Sequence, residues 1–157
     1  DVAKYFLAFL QEESCGKCVP CREGVRRMRE ILEDICAGKG SEGDIELLEK
    51  IATGVADGSL CALGGSAPNP VLSTLRYFRD EYDAHIKEHR CPAGVCKALI
   101  TYSIDPEKCT GCTLCSKVCP VQAISGEKKK THAIDNDKCT RCGACFEGCK
   151  FDAINVK

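Results

Sequence analysis

The sequence predicts an α+β chain in two parts: a small helical bundle, then a duplicated unit of short strands, cysteine loops and short helices. Three observations predict it. Apolar residues recur at helical spacing as far as about residue 88. After His89 the texture changes to RCPAGVCKALITYSID, rich in Cys, Pro and Gly and then β-branched. From residue 104, IDPEKCTGCTLCSKVCPVQAI aligns thirty residues later with IDNDKCTRCGACFEGCKFDAI. The expected divisions are therefore 1–89, a cysteine-containing connector at 90–98, and 99–157.

Val2, Tyr5, Phe6, Phe9 and Leu10 favour a helix over 2–13. The loop ESCGKCVPCREG follows, with Gly16 and Pro20 as breakers. From Arg22 to about Ala37, Val25, Met28, Ile31, Leu32 and Ile35 mark an amphipathic helix that ends at Gly38. Cys36 lies one turn beyond Leu32 and reads as a small buried apolar residue, not a metal ligand. Leu47, Leu48, Ile51 and Val55 define a third helix with Asp44 as N-cap, breaking near Asp57-Gly58. A fourth, opened by Pro70, is expected from near Val71 to about Glu88, burying Leu72, Leu75, Phe78, Tyr82 and Ile86. The aromatics Tyr77, Phe78 and Tyr82 read as core or subunit interface.

Each copy of the repeat is too small to bury a core alone, so two copies must pack about a pseudo-twofold axis. Between them GEKKKTH is charged and turn-like. His132 there reads as solvated, and Lys128, Lys129 and Lys130 as a solvated run or a dock for an acidic partner.

Composition narrows the chemistry. Of 157 residues 15 are cysteine, aromatics make up only 6%, and tryptophan is absent, so something besides packing must help hold the chain. The formal net charge is −1, which supplies no basic field for nucleic acid or anionic membrane. No apolar run approaches the roughly 18 residues of a membrane span, and the opening residues lack the features of a signal peptide. A soluble, cytoplasmic chain is expected, and a start at Asp1 suggests a piece of something longer.

Disulfides, zinc and iron–sulfur groups all use cysteine, and spacing decides among them. Cys109, Cys112, Cys115 and Cys119 form C-x2-C-x2-C-x3-C followed by Pro120, and Cys139, Cys142, Cys145 and Cys149 repeat the spacing. Cys15, Cys18 and Cys21 give a third C-x2-C-x2-C, with Cys61 far downstream. Thiols this close would strain a disulfide, and 15 is odd. The C-terminal repeat has the bacterial ferredoxin pattern, in which the fourth cysteine of each run serves the other cluster. Cys109, Cys112, Cys115 and Cys149 are thus expected to hold one [4Fe–4S] cluster, and Cys139, Cys142, Cys145 and Cys119 a second. Pro120 has no counterpart after Cys149, which predicts a looser second turn. Cys61, taken alone, reads equally as a fourth ligand or as a buried free thiol.

ESCGKCVPCREG with Cys61 in SLCALGGSAPNPVLSTLRYFRDEYDAHI resembles the [4Fe–4S]-binding C-terminal region of the flavin- and NADH-binding subunit of respiratory complex I. With HRCPAGVC and a two-cluster ferredoxin domain after it, the chain looks most like the homologous β-type subunit of soluble NAD(P)-linked hydrogenases, including electron-bifurcating [FeFe] enzymes, and of related formate dehydrogenases. The resemblance implies that Cys15, Cys18, Cys21 and Cys61 hold a third [4Fe–4S] cluster, near a flavin. It also implies FMN and NAD(P) on an upstream part, other subunits of a hydrogenase or dehydrogenase complex as partners, and ferredoxin as a further partner. Lys17, Arg22 and the N–H groups opening the second helix are expected to stabilise that cluster when reduced. Gly64-Gly65 lacks the strand–loop–helix context of a phosphate cradle and reads as a turn. No catalytic constellation stands out, so electron relay is expected from these residues, not substrate chemistry.

Cys36, Cys91 and Cys96 remain. Cys91 and Cys96 follow His85 and His89, which would share a helix face. Two thiolates and two imidazoles suit a structural zinc ion at a hinge. A zinc-stabilised interaction module without redox function is the alternative reading of the whole chain.

Overall fold

The computed structural model describes residues 1–156 and divides into two compact units, Asp1–Leu99 and Ile100–Lys157. In the first, α1 (Val2–Glu13), α2 (Val19–Cys36) and α3 (Asp44–Gly58) pack in succession, followed by α4 (Ala62–Ser66), α5 (Asn69–Tyr77) and α6 (Arg79–Lys87). Their shared core runs from Leu7 on α1 through Val25, Met28 and Leu32 on α2 to Leu48 and Val55 on α3 and Val71 and Leu75 on α5. The α2 periodicity is the one read from the sequence, because Val25, Met28, Ile31, Leu32 and Ile35 are all buried. Gly24 allows close approach of α2 and α3, since a Cβ there would lie 2.1 Å from Val55 Cγ2.

Several expectations are corrected. The helix opened by Pro70 is two helices, broken at Phe78 (φ −136°, ψ 35°). Thr74 Oγ1 and Tyr82 OH, 2.8 Å apart, bridge the break. Arg79 anchors the start of α6 on α3 by pairing with Glu49 at 2.6 Å. The break leaves Phe78 exposed, and Tyr77 with it. On α1 the buried positions are Ala3 and Leu7, whereas Val2, Tyr5, Phe6 and Phe9 are exposed. Gly43, in the left-handed conformation, caps α3 in place of Asp44, whose carboxylate accepts the Ser41 N–H at 2.8 Å. The short α4 has no signature in the apolar pattern, because Gly and Pro obscure so short a helix. The 90–98 connector belongs to the first unit, where Cys91 and Cys96 are buried and a 3-10 turn, Lys97–Leu99, closes it.

In the second unit β1 (Tyr102–Ile104) pairs antiparallel with β4 (Ile154–Val156), and β2 (Ile124–Ser125) with β3 (Ala133–Ile134). Two short helices, α7 (Leu114–Val118) and α8 (Ala144–Glu147), pack together. The duplication extends to the backbone. Gly111 and Arg141, Thr113 and Gly143, and Gln122 and Asp152 form three pairs thirty residues apart, all with left-handed φ between 47° and 81°. The copies interlock: Asp105 N–H donates to Ala153 O at 2.7 Å, and Asp135 N–H to Ala123 O at 2.8 Å.

Candidate metal centres

The interlocking crosses the cysteine runs. One small cavity is lined by Cys109, Cys112, Cys115 and Cys149, and another by Cys119, Cys139, Cys142 and Cys145. Each therefore takes three thiols from one run and the fourth from the other. Backbone donors face the sulfurs: Ala123 N–H reaches Cys119 Sγ at 3.3 Å and Ala153 N–H reaches Cys149 Sγ at 3.4 Å. These matching bonds, with Gln122 and Asp152 both left-handed, correct the expectation of a looser turn after Cys149. Local hydrogen bonding sets both turns, with or without a proline. Arg141 N–H adds a third such contact, to Cys139 Sγ at 3.4 Å. Burial pushes the Cys115 and Cys145 thiols up, although the N–H groups of Ser116 and Phe146 act the other way. Buried thiols facing amide donors become stable thiolates when a metal supplies the missing positive charge. The donor sets suit iron–sulfur groups on that ground.

His132, expected to be solvated, is only 3% exposed and lines the Cys109 cavity. The charged run is folded back: Lys129 N–H donates to Gly111 O at 3.0 Å, and Lys130 pairs with Glu127. Charged neighbours in sequence are no guide to burial where the chain doubles back in this way.

In the first unit Cys15, Cys18 and Cys21 lie around the N-terminus of α2, with Cys18 as its cap and Cys21 buried on its first turn. Cys61, exposed, caps the following short helix, α4. A Cβ on Gly64 would lie 3.3 Å from Cys21 Cβ, so α4 packs directly on the cysteine loop. That close approach gives Gly64 a packing role. Arg22 is committed to the loop itself, donating to Gly16 O at 2.7 Å.

The remaining cysteines gather elsewhere in this unit. Ligand atoms of His85, Cys91 and Cys96 all lie within 4.8 Å of one another, and all three residues are buried. His85 Nδ1 lies 2.6 Å from Glu81 O; a carbonyl only accepts, so Nδ1 carries the proton and Nε2 is free to ligate. Burial acts against the Cys91 thiolate, but N–H groups of Cys96, Val95 and Gly94 face it and bring its thiol below the usual range. Cys96 is pushed up to about 12 by burial and by the neighbouring Cys36 and Cys91 thiols. Cys36 thus meets this group, on the wall of the same cavity of about 330 Å³. It is half-buried, contrary to its reading as a core residue. His89 is outside the group. It ends α6 in a left-handed conformation (φ 48°), with Arg90 N–H donated to Ala84 O at 3.1 Å, so it never shares a helix face with His85.

These thiol arrays define the class: an iron–sulfur protein. Residues 1–85 match the NADH-ubiquinone oxidoreductase-F iron-sulfur binding region, and residues 102–156 match a 4Fe-4S dicluster domain. The chain belongs to the NADH-ubiquinone oxidoreductase-F iron–sulfur family and is an electron-transfer module of that kind. It is 54% identical over 130 residues to NADP-reducing hydrogenase subunit HndC of Solidesulfovibrio fructosivorans, covering 83% of this chain and 26% of that one. It is 47% identical over 90 residues to an NADH-quinone oxidoreductase subunit of Streptomyces coelicolor, covering 57% and 20%. With the NADP(+)-dependent formate dehydrogenase subunit beta of Moorella thermoacetica it shares 40% over 85 residues, covering 54% and 12%. The chain thus spans about a quarter or less of these relatives. The reading as a zinc module without redox function finds no support in them. No helix among the described residues is long and apolar enough to cross a membrane.

Proposed function

We propose that the chain holds three [4Fe–4S] clusters and relays single electrons between a flavin site elsewhere in its parent protein and further acceptors in a hydrogenase or formate dehydrogenase assembly. Cys15, Cys18, Cys21 and Cys61 hold the first cluster, Cys109, Cys112, Cys115 and Cys149 the second, and Cys119, Cys139, Cys142 and Cys145 the third. The observation that carries this reading is the crossing of the cysteine runs into two cavities. The clusters supply one-electron chemistry, while the chain contributes thiolates, amide donors to sulfur and exclusion of water. The partners are the other subunits of such an assembly, with ferredoxin as an external acceptor. Replacing Cys61 with Ser is expected to remove about one third of the iron and to leave the ferredoxin-type pair intact, as expected when one of four thiolates is lost. Iron and sulfide analysis checks this, and unchanged iron overturns the assignment of Cys61.

His85, Cys91 and Cys96 hold a structural zinc ion, with Cys36 as the fourth donor in place of His89. Supporting this are the 4.8 Å grouping, the proton on His85 Nδ1 and the meeting of Cys36 with Cys96. Zinc suits mixed S and N ligands and has no redox role. The ion would anchor the last segment of the first unit, immediately before Ile100. Metal analysis should find about one zinc per chain, lost in Cys91→Ser while iron stays. Zinc retained in Cys36→Ser but lost in His89→Gln would reverse the choice of fourth donor.

A further inference from the structure

The duplication places one ring at each of the two cavities of the second unit. His132 stands thirty residues after Tyr102, so the two occupy the same position in successive copies. Tyr102 lines the cavity of Cys119, Cys139, Cys142 and Cys145, and His132 lines that of Cys109, Cys112, Cys115 and Cys149. A phenol serves one site and an imidazole the other.

The imidazole is held from two sides. A Cβ on Gly126 would lie 2.6 Å from His132 Cγ, so that glycine's backbone lies against the ring. His132 Nδ1 stands 3.1 Å from Lys130 O. The Lys129–Lys130 strap that presents this carbonyl is itself packed on Gly111, where a Cβ would come within 2.5 Å of Lys130 N. Because a carbonyl oxygen only accepts, Nδ1 is the protonated donor. That leaves Nε2, which among the described residues is the one buried side-chain nitrogen or oxygen without a partner. A buried ring nitrogen left unpaired is costly, and such an orphan calls for an acceptor or a ligand. Besides His132 and Thr110, the polar side chains on the cavity wall are the four thiols. Once they and inorganic sulfide hold iron, sulfur only accepts, so Nε2 is paired there only when it too carries a proton.

We infer that His132 donates its Nε2–H to a sulfur of the cluster held by Cys109, Cys112, Cys115 and Cys149, and that this bond makes that cluster easier to reduce than it would be without the imidazole. The inference rests on the cluster reading above. With both nitrogens donating, the ring is a cation enclosed beside an anionic group. One-electron reduction adds a negative charge to the sulfur acceptors, so a charge-assisted donor strengthens on reduction and favours the reduced state. Tyr102, the counterpart in the other copy, carries no such charge, so the duplicated frame is electrostatically unequal. His132 is a positioning and tuning residue, because it binds sulfur through a proton and ligates no iron.

The test uses the full chain, reconstituted anaerobically with iron and sulfide, in unsubstituted, His132→Leu and His132→Gln forms. Reduction is followed by EPR-monitored titration at one fixed pH, and pulsed EPR is recorded on reduced protein labelled with ¹⁵N in histidine. His132→Leu is expected to make reduction of one cluster about tenfold less favourable, about 59 mV for a one-electron couple, with the others unmoved. His132→Gln, which keeps an N–H donor, should recover part of the shift. A ¹⁵N coupling on that cluster's signal is expected in the unsubstituted chain and absent from both variants. If His132→Leu fails to hold its iron, the coupling and the glutamine variant still decide. A chain loaded with all three clusters but showing no coupling and unshifted potentials overturns this inference alone. A chain that takes up no iron overturns the functional reading and this inference with it.

Discussion

At the scale of single residues, the second unit turns on what its glycines keep clear. Gly111 (φ +67°) lies beneath the Lys129–Lys130 strap, and a Cβ there would meet three backbone atoms within 2.7 Å. Gly143 (φ +81°) has only Tyr102 OH, at 3.4 Å, near its missing Cβ. Their repeat counterparts, Arg141 and Thr113, show that this frame accepts side chains in the left-handed region. Gly143→Ala should therefore cost about 1 kcal/mol, the ordinary left-handed penalty. Gly111→Ala should cost about 3 kcal/mol, because backbone, unlike a flexible side-chain end, cannot yield. Denaturant melts of the loaded chain, followed at the cluster absorbance, check both. The residues that the sequence misplaced are also single: His132 and Cys36 take their surroundings from distant segments, and His89 from the helix end. Burial and partner are non-local properties, and the i+4 spacing of His85 and His89 describes neighbours only if the helix continues through both.

At the scale of elements, periodicity located the helices but not the faces or breaks that tertiary packing selects. The α2 stripe was legible because its apolar residues, Val25 to Ile35, repeat over about three turns. The α5–α6 break was not, since one non-helical residue, Phe78, barely disturbs an apolar pattern. On α1 the large apolar side chains mark the exposed face, while Ala3 and Leu7 mark the buried one. The α2–α3 contact makes a paired prediction. Gly24→Ala should destabilise the first unit by about 1–3 kcal/mol, because its Cβ would overlap the fully buried Val55, and this outweighs the gain in helix propensity. Gly54→Ala on α3 meets nothing within 4 Å and should stabilise by about 0.5–1 kcal/mol. Thermal unfolding followed by far-ultraviolet circular dichroism reads both; equal effects would remove the steric argument.

Across the whole molecule the two units differ in what holds them. The first has an apolar core shared among α1, α2, α3 and α5. The second has ladders of three and two residue pairs and few buried apolar side chains, so its thiol cavities stand where a core would otherwise be. Stripping iron with a chelator under reducing conditions should leave most helical signal in place while amides of 100–156 lose protection from hydrogen exchange, because metal–thiolate bonds are folding free energy for so small a unit. Retained protection there would show that the backbone interlock suffices alone. By itself the sequence determined the class of chemistry and the thirty-residue duplication, and it predicted crossed cysteine sets. Small metal groups need ligands from tight local loops, and loop spacing is written in adjacent residues. Only the tertiary structure decided that His85, Cys91 and Cys96 come together with Cys36 beside Cys96, that α6 begins where Arg79 reaches Glu49, and that His132 is enclosed beside four thiols. Each of those outcomes depends on where a helix stops or a strap folds back, and these are set by contacts between segments far apart in the chain.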